Sequence, residues 1–482
     1  MTSHTTAGRA APTRPGKEFA GVAFSAWAAA FAVGVLIHEL QFIQPPFAFN
    51  TLIVTTAFAV LLRPSAVWRV ILLLALLVVE LLVVLPNPQN HLMFIGVVGA
   101  TIVPWWLWLR WRAPEQAGSP AVMYERVAPY LRLGFILMWY FAAFAKMNTG
   151  FENAASTCSV WILELIPGVT VPTLLVPAVI LGTQALELTV PTLLLFHRTR
   201  WLAIILGFGF HLVSALAGHS AFSGFGWSFY LLFLPPVVLA RAVVLARRSL
   251  PEIARRAVAV VVAHSPAAVV TFAALWMAAA AIIPVAYDRP WMLRRWGACL
   301  LCVLWMGLTG ALLVRLRRHW LPHPPTAVPP GPRASLRVRN GLFLLGFVAL
   351  LATAAMPYLG LKTRAAFTMY SNVRTEPGHW NHLLIPEAVR IFHWQDGDFV
   401  LLGSDDPLLA QEFAEQDAEH TVLLSARRIA ADHPTATVRY LLDGVEHESV
   451  VSADPVLGQP ISAEQDWFGA MRPFVEGNTC QH

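Results

Sequence analysis

The sequence predicts an all-α polytopic membrane bundle of about eleven spans, with a small α+β domain at its C-terminal end. Three observations lead there. Of 482 residues, 57% are apolar or aromatic and 13% are charged, against roughly a quarter charged in soluble domains, and the mean hydropathy is +0.59. Apolar runs near twenty residues recur, the length that a helix rising about 1.5 Å per residue needs to cross hydrocarbon. Arginines gather in alternate connections between those runs, which sets an orientation.

Taken in order, residues 1–17 are polar and Ala/Thr-rich and read as a disordered cytoplasmic segment. Residues 18–361 hold the runs, near 19–43, 47–62, 67–86, 91–109, 128–148, 172–196, 201–218, 226–245, 268–286, 297–315 and 341–361. The first follows a basic stretch but is longer than the apolar core of a cleaved signal peptide, so it reads as a retained span. Within this part, residues 319–340 form a Pro-rich cytoplasmic linker of extended character.

The formal net charge of +6 does not point to nucleic acid, because the cations do not form one basic face. Arg63 and Arg69, Arg110 and Arg112, Arg198 and Arg200, Arg247 and Arg248, and Arg315 and Arg317 all fall on one side if the spans alternate. The positive-inside rule makes that side cytoplasmic. Arg289, Arg294 and Arg295 break the pattern. An odd number of spans then puts the tail, residues 362–482, on the extracytoplasmic side of a cell membrane.

The tail reads as α+β. FVLLGS and TVRYLLDGVEHESVV are strand-like, the latter turning at Asp443-Gly444, while DDPLLAQEFAEQDA and SAEQDWFGAMRPF keep helical spacing. Cys158 and Cys480 fall on the same outer side, where a disulfide persists, but spacing alone does not decide whether they pair. Cys299 and Cys302 lie inside an apolar run without a second pair, so the sequence offers no metal motif.

Charges and imidazoles inside a span are expensive and are functional candidates by default. Lys146, in YFAAFAKMNTGF, lies about 27 Å along span five, near its outer end. Two readings fit it: a lysine snorkelling to the interface, or a desolvated amine serving as a base. Asn90 and His91 open span four from the same face, as a helix cap or as part of a site. His211 lies mid-span in GFGFHLVSAL, equally suited to a structural or a catalytic role. Glu80 and Glu187 are deep, each either paired with an arginine or protonated, and His38-Glu39 reads as an interfacial polar rim. Beyond the last span, FTMYSNVRTEPGHWNHLL is dense in polar and aromatic side chains. These features share one face, which predicts a pocket at the outer membrane surface capped by the tail.

The ordered series of motifs resembles the vitamin K-dependent γ-carboxylase-like proteins, whose membrane part is the horizontally transferred transmembrane (HTTM) domain. YFAAFAKMNTGF is similar to that family's Tyr-Phe, small residues, Lys-apolar-Asn/Asp and following aromatic, with Phe151 where tryptophan is usual. QNHLMFIGVV matches its Asn-His at a span start, and GFHLVSAL with FGWSFYLLFLPP its Phe-His helix and the aromatic span after it. MPYLGL, FTMYSNVRTE and LLSARRIAADHPTATVRYLLDG resemble the exit from its last span and its extracytoplasmic domain.

The resemblance implies a membrane enzyme of the carbon-carbon lyase class. Reduced vitamin K or menaquinol would be its cofactor, with oxygen and carbon dioxide as co-substrates, coupling quinol epoxidation to carboxylation of a glutamate-like side chain on a peptide or protein. It implies Lys146 as the base, Asn90 and His91 as groups orienting the quinol, and His211 as support or proton carrier. The tail is much shorter than the domain with which animal carboxylases hold their substrates. A different class remains open beside it, a non-catalytic membrane partner or maturation factor binding lipid or peptide in the same cavity.

Overall fold

A computed structural model describes residues 16–42, 47–286, 290–317, 334–416, 418–474 and 480. The expectations for residues 1–15 and for most of the Pro-rich linker lie outside these residues. The chain is mostly helical, and each predicted apolar run falls on helix. In order these are α1 (Gly16–Gln41), α2 (Phe47–Leu62), α3 (Val67–Val83), α4 (Asn90–Arg112), the short α5 (Pro114–Ala117), α6 (Pro120–Ala145), the short α7 (Thr149–Glu152) and α8 (Cys158–Glu164), α9 (Val176–Leu195) and α10 (Arg200–Leu216). There follow α11 (Ser220–Leu231), α12 (Pro236–Ser249), α13 (Glu252–Ala263), α14 (Ser265–Ala286), α15 (Pro290–Arg315) and α16 (Leu342–Ala355).

Six of these are long and apolar enough to cross a membrane: α1, α4, α6, α9 with the turn before it, α14 and α15. The run expected as one span over 226–245 is instead α11 and α12, bent by 115°. The cause is Pro235-Pro236, which removes two backbone donors and forces the preceding residue out of helical geometry. The amphipathic α13, with Glu252 paired to Arg255 and Arg256, was not foreseen in the hydropathy.

Helix α1 runs through the centre, packed against α2, α6, α11, α12 and α15. Its small residues permit this: a Cβ built on Gly34 would stand 3.1 Å from the backbone of Gly224 on α11, so both positions need glycine for the helices to approach. At the end away from the tail, Arg132 of α6 is fully buried and donates to the carbonyls of Leu232 and Ser335 and to the Tyr124 hydroxyl. Arg200 similarly donates to Leu194 and Ala334. Each guanidinium satisfies one backbone oxygen at a helix end and one in the non-helical segment before α16, which offsets the cost of burying it.

The tail holds a four-stranded antiparallel sheet of β1 (Asp398–Ser404), β2 (His420–Val422), β3 (Thr437–Leu442) and β4 (Val445–Val450), in the order β2-β1-β3-β4. The predicted hairpin forms at Asp443 and Gly444, both left-handed in φ. Beside the sheet lie α17 (Pro407–Glu415), capped by the Asp406 carboxylate, α18 (Leu423–Ala430) and α19 (Ala463–Phe468). Strand β2 and helix α18 escaped the sequence reading, and the helix expected over SAEQDWFGAMRPF stops at Phe468. Phe399, Phe413, Ile429 and Tyr440 form the core of this unit.

The tail is tied to one end of the bundle. Leu383 N donates to Met147 O at 2.9 Å, Thr149 N to Asn381 O at 3.1 Å, and Asn148 Nδ2 to Ser371 O at 2.6 Å. A disulfide joins Cys158 of α8 to Cys480. This tail-facing end is where α1, α3 and α6 finish and α4 begins.

Candidate functional site

Lys146 caps the C-terminus of α6. Cα–Cβ bonds of a helix tilt toward its N-terminus, so a lysine at this position reaches back into the bundle and not outward past the helix end. Its Nζ accordingly lies 3.5 Å from the Ala142 carbonyl one turn earlier and 3.2 Å from the Met369 carbonyl, and the residue is only 4% exposed. Snorkelling is thereby excluded by geometry.

Glu187 of α9 supplies the counter-charge. Its Oε2 stands 3.0 Å from Nζ, off the hydrogen-bonding direction, with both side chains 5% exposed. The sequence reading offered Glu187 an arginine or a proton; its partner is the lysine. One turn earlier on α9, Gln184 donates to the Lys146 carbonyl at 3.0 Å, which registers α9 against the end of α6 and satisfies an orphan helix oxygen. Phe151 presents its ring 5.9 Å from Nζ.

The pair sits in the wall of a chamber of about 500 Å³ whose other walls are almost wholly apolar, among them Trp139, Leu186, Leu206, Phe210 and Phe222. Met369 and Tyr370 close it from the segment after α16. In that segment Ala365, Phe367, Tyr370 and Asn372 all hold positive φ, between 52° and 59°. Four non-glycine residues in the left-handed region cost energy, and their close spacing marks a strap whose shape is imposed by its contacts. Asn90 is one such contact: it is the first residue of α4, not its cap, and its Oδ1 accepts from Phe367 N at 2.6 Å. Tyr370 makes a 2.7 Å hydrogen bond to His219 Nδ1.

A second cavity of about 500 Å³ adjoins the first, sharing Asn90, His91, His219, Phe222, Met369 and Tyr370. It is more polar than the first, with Arg295, Arg364 and Arg472 among its lining residues. Arg295, an exception to the charge pattern, therefore has a place at this vestibule, where it donates to Ala217 O at 2.8 Å. Arg472 is buried and bonds the carbonyl and hydroxyl of Thr368.

Of the four residues nominated from sequence, the structure brings three to the chamber: Lys146, Asn90 and His91. His211, expected as support of the pocket or as a proton carrier, stands apart from these three. It is fully buried behind Phe210 and Phe222, packed against Trp139 and Tyr230, and does not line the chamber. Its ring occupies the space that Gly226 leaves, where a methyl group would overlap it. His38 and Glu39, expected as an interfacial polar rim, are buried, at 1% and 2% exposed. Sequence reasoning missed Gln184 and His219, and included Tyr370 only as part of the polar, aromatic segment after the last span. Only Gly218, whose positive φ ends α10 and aims the next residue inward, signals His219.

Chamber and fold together define a helical protein with membrane-length helices and a buried Lys–Glu pair facing an apolar cavity. No family model matches the chain, and no curated protein or solved structure shows significant similarity to it.

Proposed function

We propose that the chain is an integral membrane enzyme that admits a lipid-soluble quinol, reduced vitamin K or menaquinol, into the apolar chamber and deprotonates it with Lys146. Carboxylation of a glutamate-like side chain on a peptide or protein is the reaction this serves. The observation that carries the reading is the buried Lys146–Glu187 pair in an otherwise apolar wall. An ionisable pair in such a place is costly to keep, and a proton-transfer site is a physical reason to keep it.

The pair holds one proton that can sit on either partner across the 3.0 Å contact. With the proton on Glu187, Lys146 offers a neutral amine to the chamber. Taking a hydroxyl proton from the ligand then leaves an ammonium beside a carboxylic acid, its charge balanced by the ligand anion. Bound there, the quinol would supply, with oxygen, the strong base that removes a γ-proton from the acceptor so that carbon dioxide adds. The chain's own residues orient and exclude water. Asn90 holds the strap over the ligand, and His91 lines the wall between chamber and vestibule. The guanidinium groups of the vestibule suit an acceptor carrying a carboxylate. His211 supports the wall from behind.

In this reading the chain crosses the membrane about eleven times, with the shorter helices α2, α3, α10 and α16 and the bent pair α11–α12 each counted as a crossing and the tail extracytoplasmic. The Cys158–Cys480 disulfide supports that side, since such bonds persist in oxidising compartments.

The test is to give purified protein reduced menaquinone or vitamin K, oxygen and labelled bicarbonate. Wild type is expected to form epoxide; Lys146→Ala and Lys146→Arg are expected to lose at least a hundredfold of that rate, because arginine keeps its proton. Full activity in Lys146→Arg would refute the base. No epoxide from the intact wild type makes the chamber a lipid- or peptide-binding site instead.

A further inference from the structure

At the tail-facing end, behind His91, lies a cluster that the chamber does not use. His38 and Glu39 come from the end of α1 and Glu80 from the last turn of α3. One ligand-capable atom from each of these three side chains lies within 4.8 Å of the other two. His38 Nε2 stands 3.3 Å from Glu80 Oε1, longer than the roughly 2.7–2.9 Å of a charge-assisted hydrogen bond.

Two carboxylates side by side, Glu39 buried and Glu80 partly so, must share a proton or have a positive charge near them. Among the described residues, Glu80 has His38 as its ion-pair partner, and Glu39 has none. Glu39 is 98% buried, yet its Oε1 meets no donor among the described residues, and neither does Oε2 of Glu80. Leaving buried carboxylate oxygens without a partner is costly, more so than for an uncharged group. Both oxygens belong to carboxylates that share the cluster with the His38 imidazole.

The outer contacts are those of a metal ligand set. His38 Nδ1 faces His91 Nε2 at 3.0 Å, which fixes the ring with Nε2 toward the carboxylates. The other oxygen of Glu39 accepts from Asn50 Nδ2, and Asn50 Oδ1 accepts from Trp276 Nε1 at 2.9 Å. Metal-bound histidines and carboxylates are typically oriented by such second partners.

We propose that His38, Glu39 and Glu80 bind a divalent first-row transition metal, of the zinc, manganese or iron(II) class. One imidazole and two carboxylates suit these ions, whereas calcium and magnesium prefer all-oxygen sets. The ion neutralises both carboxylates, and three protein ligands leave further positions for water. Through His38 the site touches His91 and so the chamber wall, but it does not depend on any quinol chemistry.

The experiment loads purified full-length protein with manganese(II) or zinc(II), desalts it, and measures bound metal by mass spectrometry and, for manganese, by electron paramagnetic resonance. Wild type is expected to retain about one equivalent, with nitrogen hyperfine coupling from one imidazole. Glu39→Gln and Glu80→Gln are each expected to weaken binding at least tenfold, and His38→Gln to remove the nitrogen coupling, while Glu252→Gln on the exposed face of α13 changes nothing. Wild type retaining less than a tenth of an equivalent of either ion overturns the proposal without reference to any variant. Equal retention by the two glutamate variants, shown monodisperse, overturns it as well.

Discussion

A lysine and a glutamate that meet in an apolar wall stabilise each other mainly by cancelling a cost. Removing one partner leaves the other as an uncompensated buried charge, which typically costs about 3–5 kcal/mol, whereas replacing both by apolar groups is often neutral. Glu187→Gln should therefore lower the apparent melting temperature in detergent sharply, and Lys146→Met with Glu187→Leu should restore most of the loss without restoring epoxide formation. If the single variant melts like wild type, the two side chains are not coupled as the 3.0 Å contact implies. At this scale the sequence was partly legible. Lys146 stood out because a cation near the end of an apolar run violates the charge pattern, but Glu187 could not be assigned to it, since a deep carboxylate shows its need for a partner and not the partner's identity. His211 stood out on the same grounds and does not line the chamber: hydropathy registers a polar residue in a span, not the direction in which its ring points.

The elements of the tail carry a second electrostatic device. His433 hydrogen-bonds Asp406, the N-cap of α17, at 2.8 Å and Glu412 of the same helix at 3.2 Å. The Asp406 hydrogen bond, aided by Glu412, raises the His433 pKa above its ordinary value. A raised folded-state pKa means that protonation favours the folded helix. The contribution is complete below the unfolded value near 6.5 and vanishes as pH rises through the folded one. Hydrogen exchange of α17, corrected for its intrinsic pH dependence, should thus be faster in His433→Gln than in wild type at pH 5.5, with the gap narrowing by pH 8.5; a gap independent of pH would rule out this clamp. Helices with long apolar runs were readable as helices because hydropathy reports burial over many residues at once. The break between α11 and α12 was visible in Pro235-Pro236 yet read through, and β2 escaped because three residues carry too little periodicity.

For the whole molecule, the disulfide between Cys158 and Cys480 closes the longest loop in the fold, spanning 322 positions, and ties the end of the tail beside the chamber. Reduction removes a constraint worth about 2–5 kcal/mol in comparable cases. The reduced protein, or Cys480→Ser, should melt lower and lose protection of the tail against limited proteolysis, while the cleavage pattern of the helical part stays unchanged. Orientation is testable on cells. Cys299 and Cys302 are buried and the other two cysteines are bonded, so the background for thiol labelling is low. A membrane-impermeant maleimide should label Glu448→Cys in the tail and spare Arg247→Cys at the end of α12; the reverse outcome would invert the proposed topology.

By itself the sequence determined that the chain is mostly helical with long apolar runs, the hairpin at Asp443-Gly444, and that polar residues from distant segments belong to one end, while six helices of membrane length stand where it led us to expect about eleven spans. These are properties of composition and period, which act over neighbouring residues. Tertiary structure decided which of those residues meet: Met369 against Lys146 across 223 positions, Asn90 under Phe367 across 277, Glu39 against Glu80, and His211 turned away from the chamber. Such contacts depend on how helices rotate and cross when their apolar faces pack, and that rotation is set by side-chain shape throughout the bundle, not by any local stretch of chain.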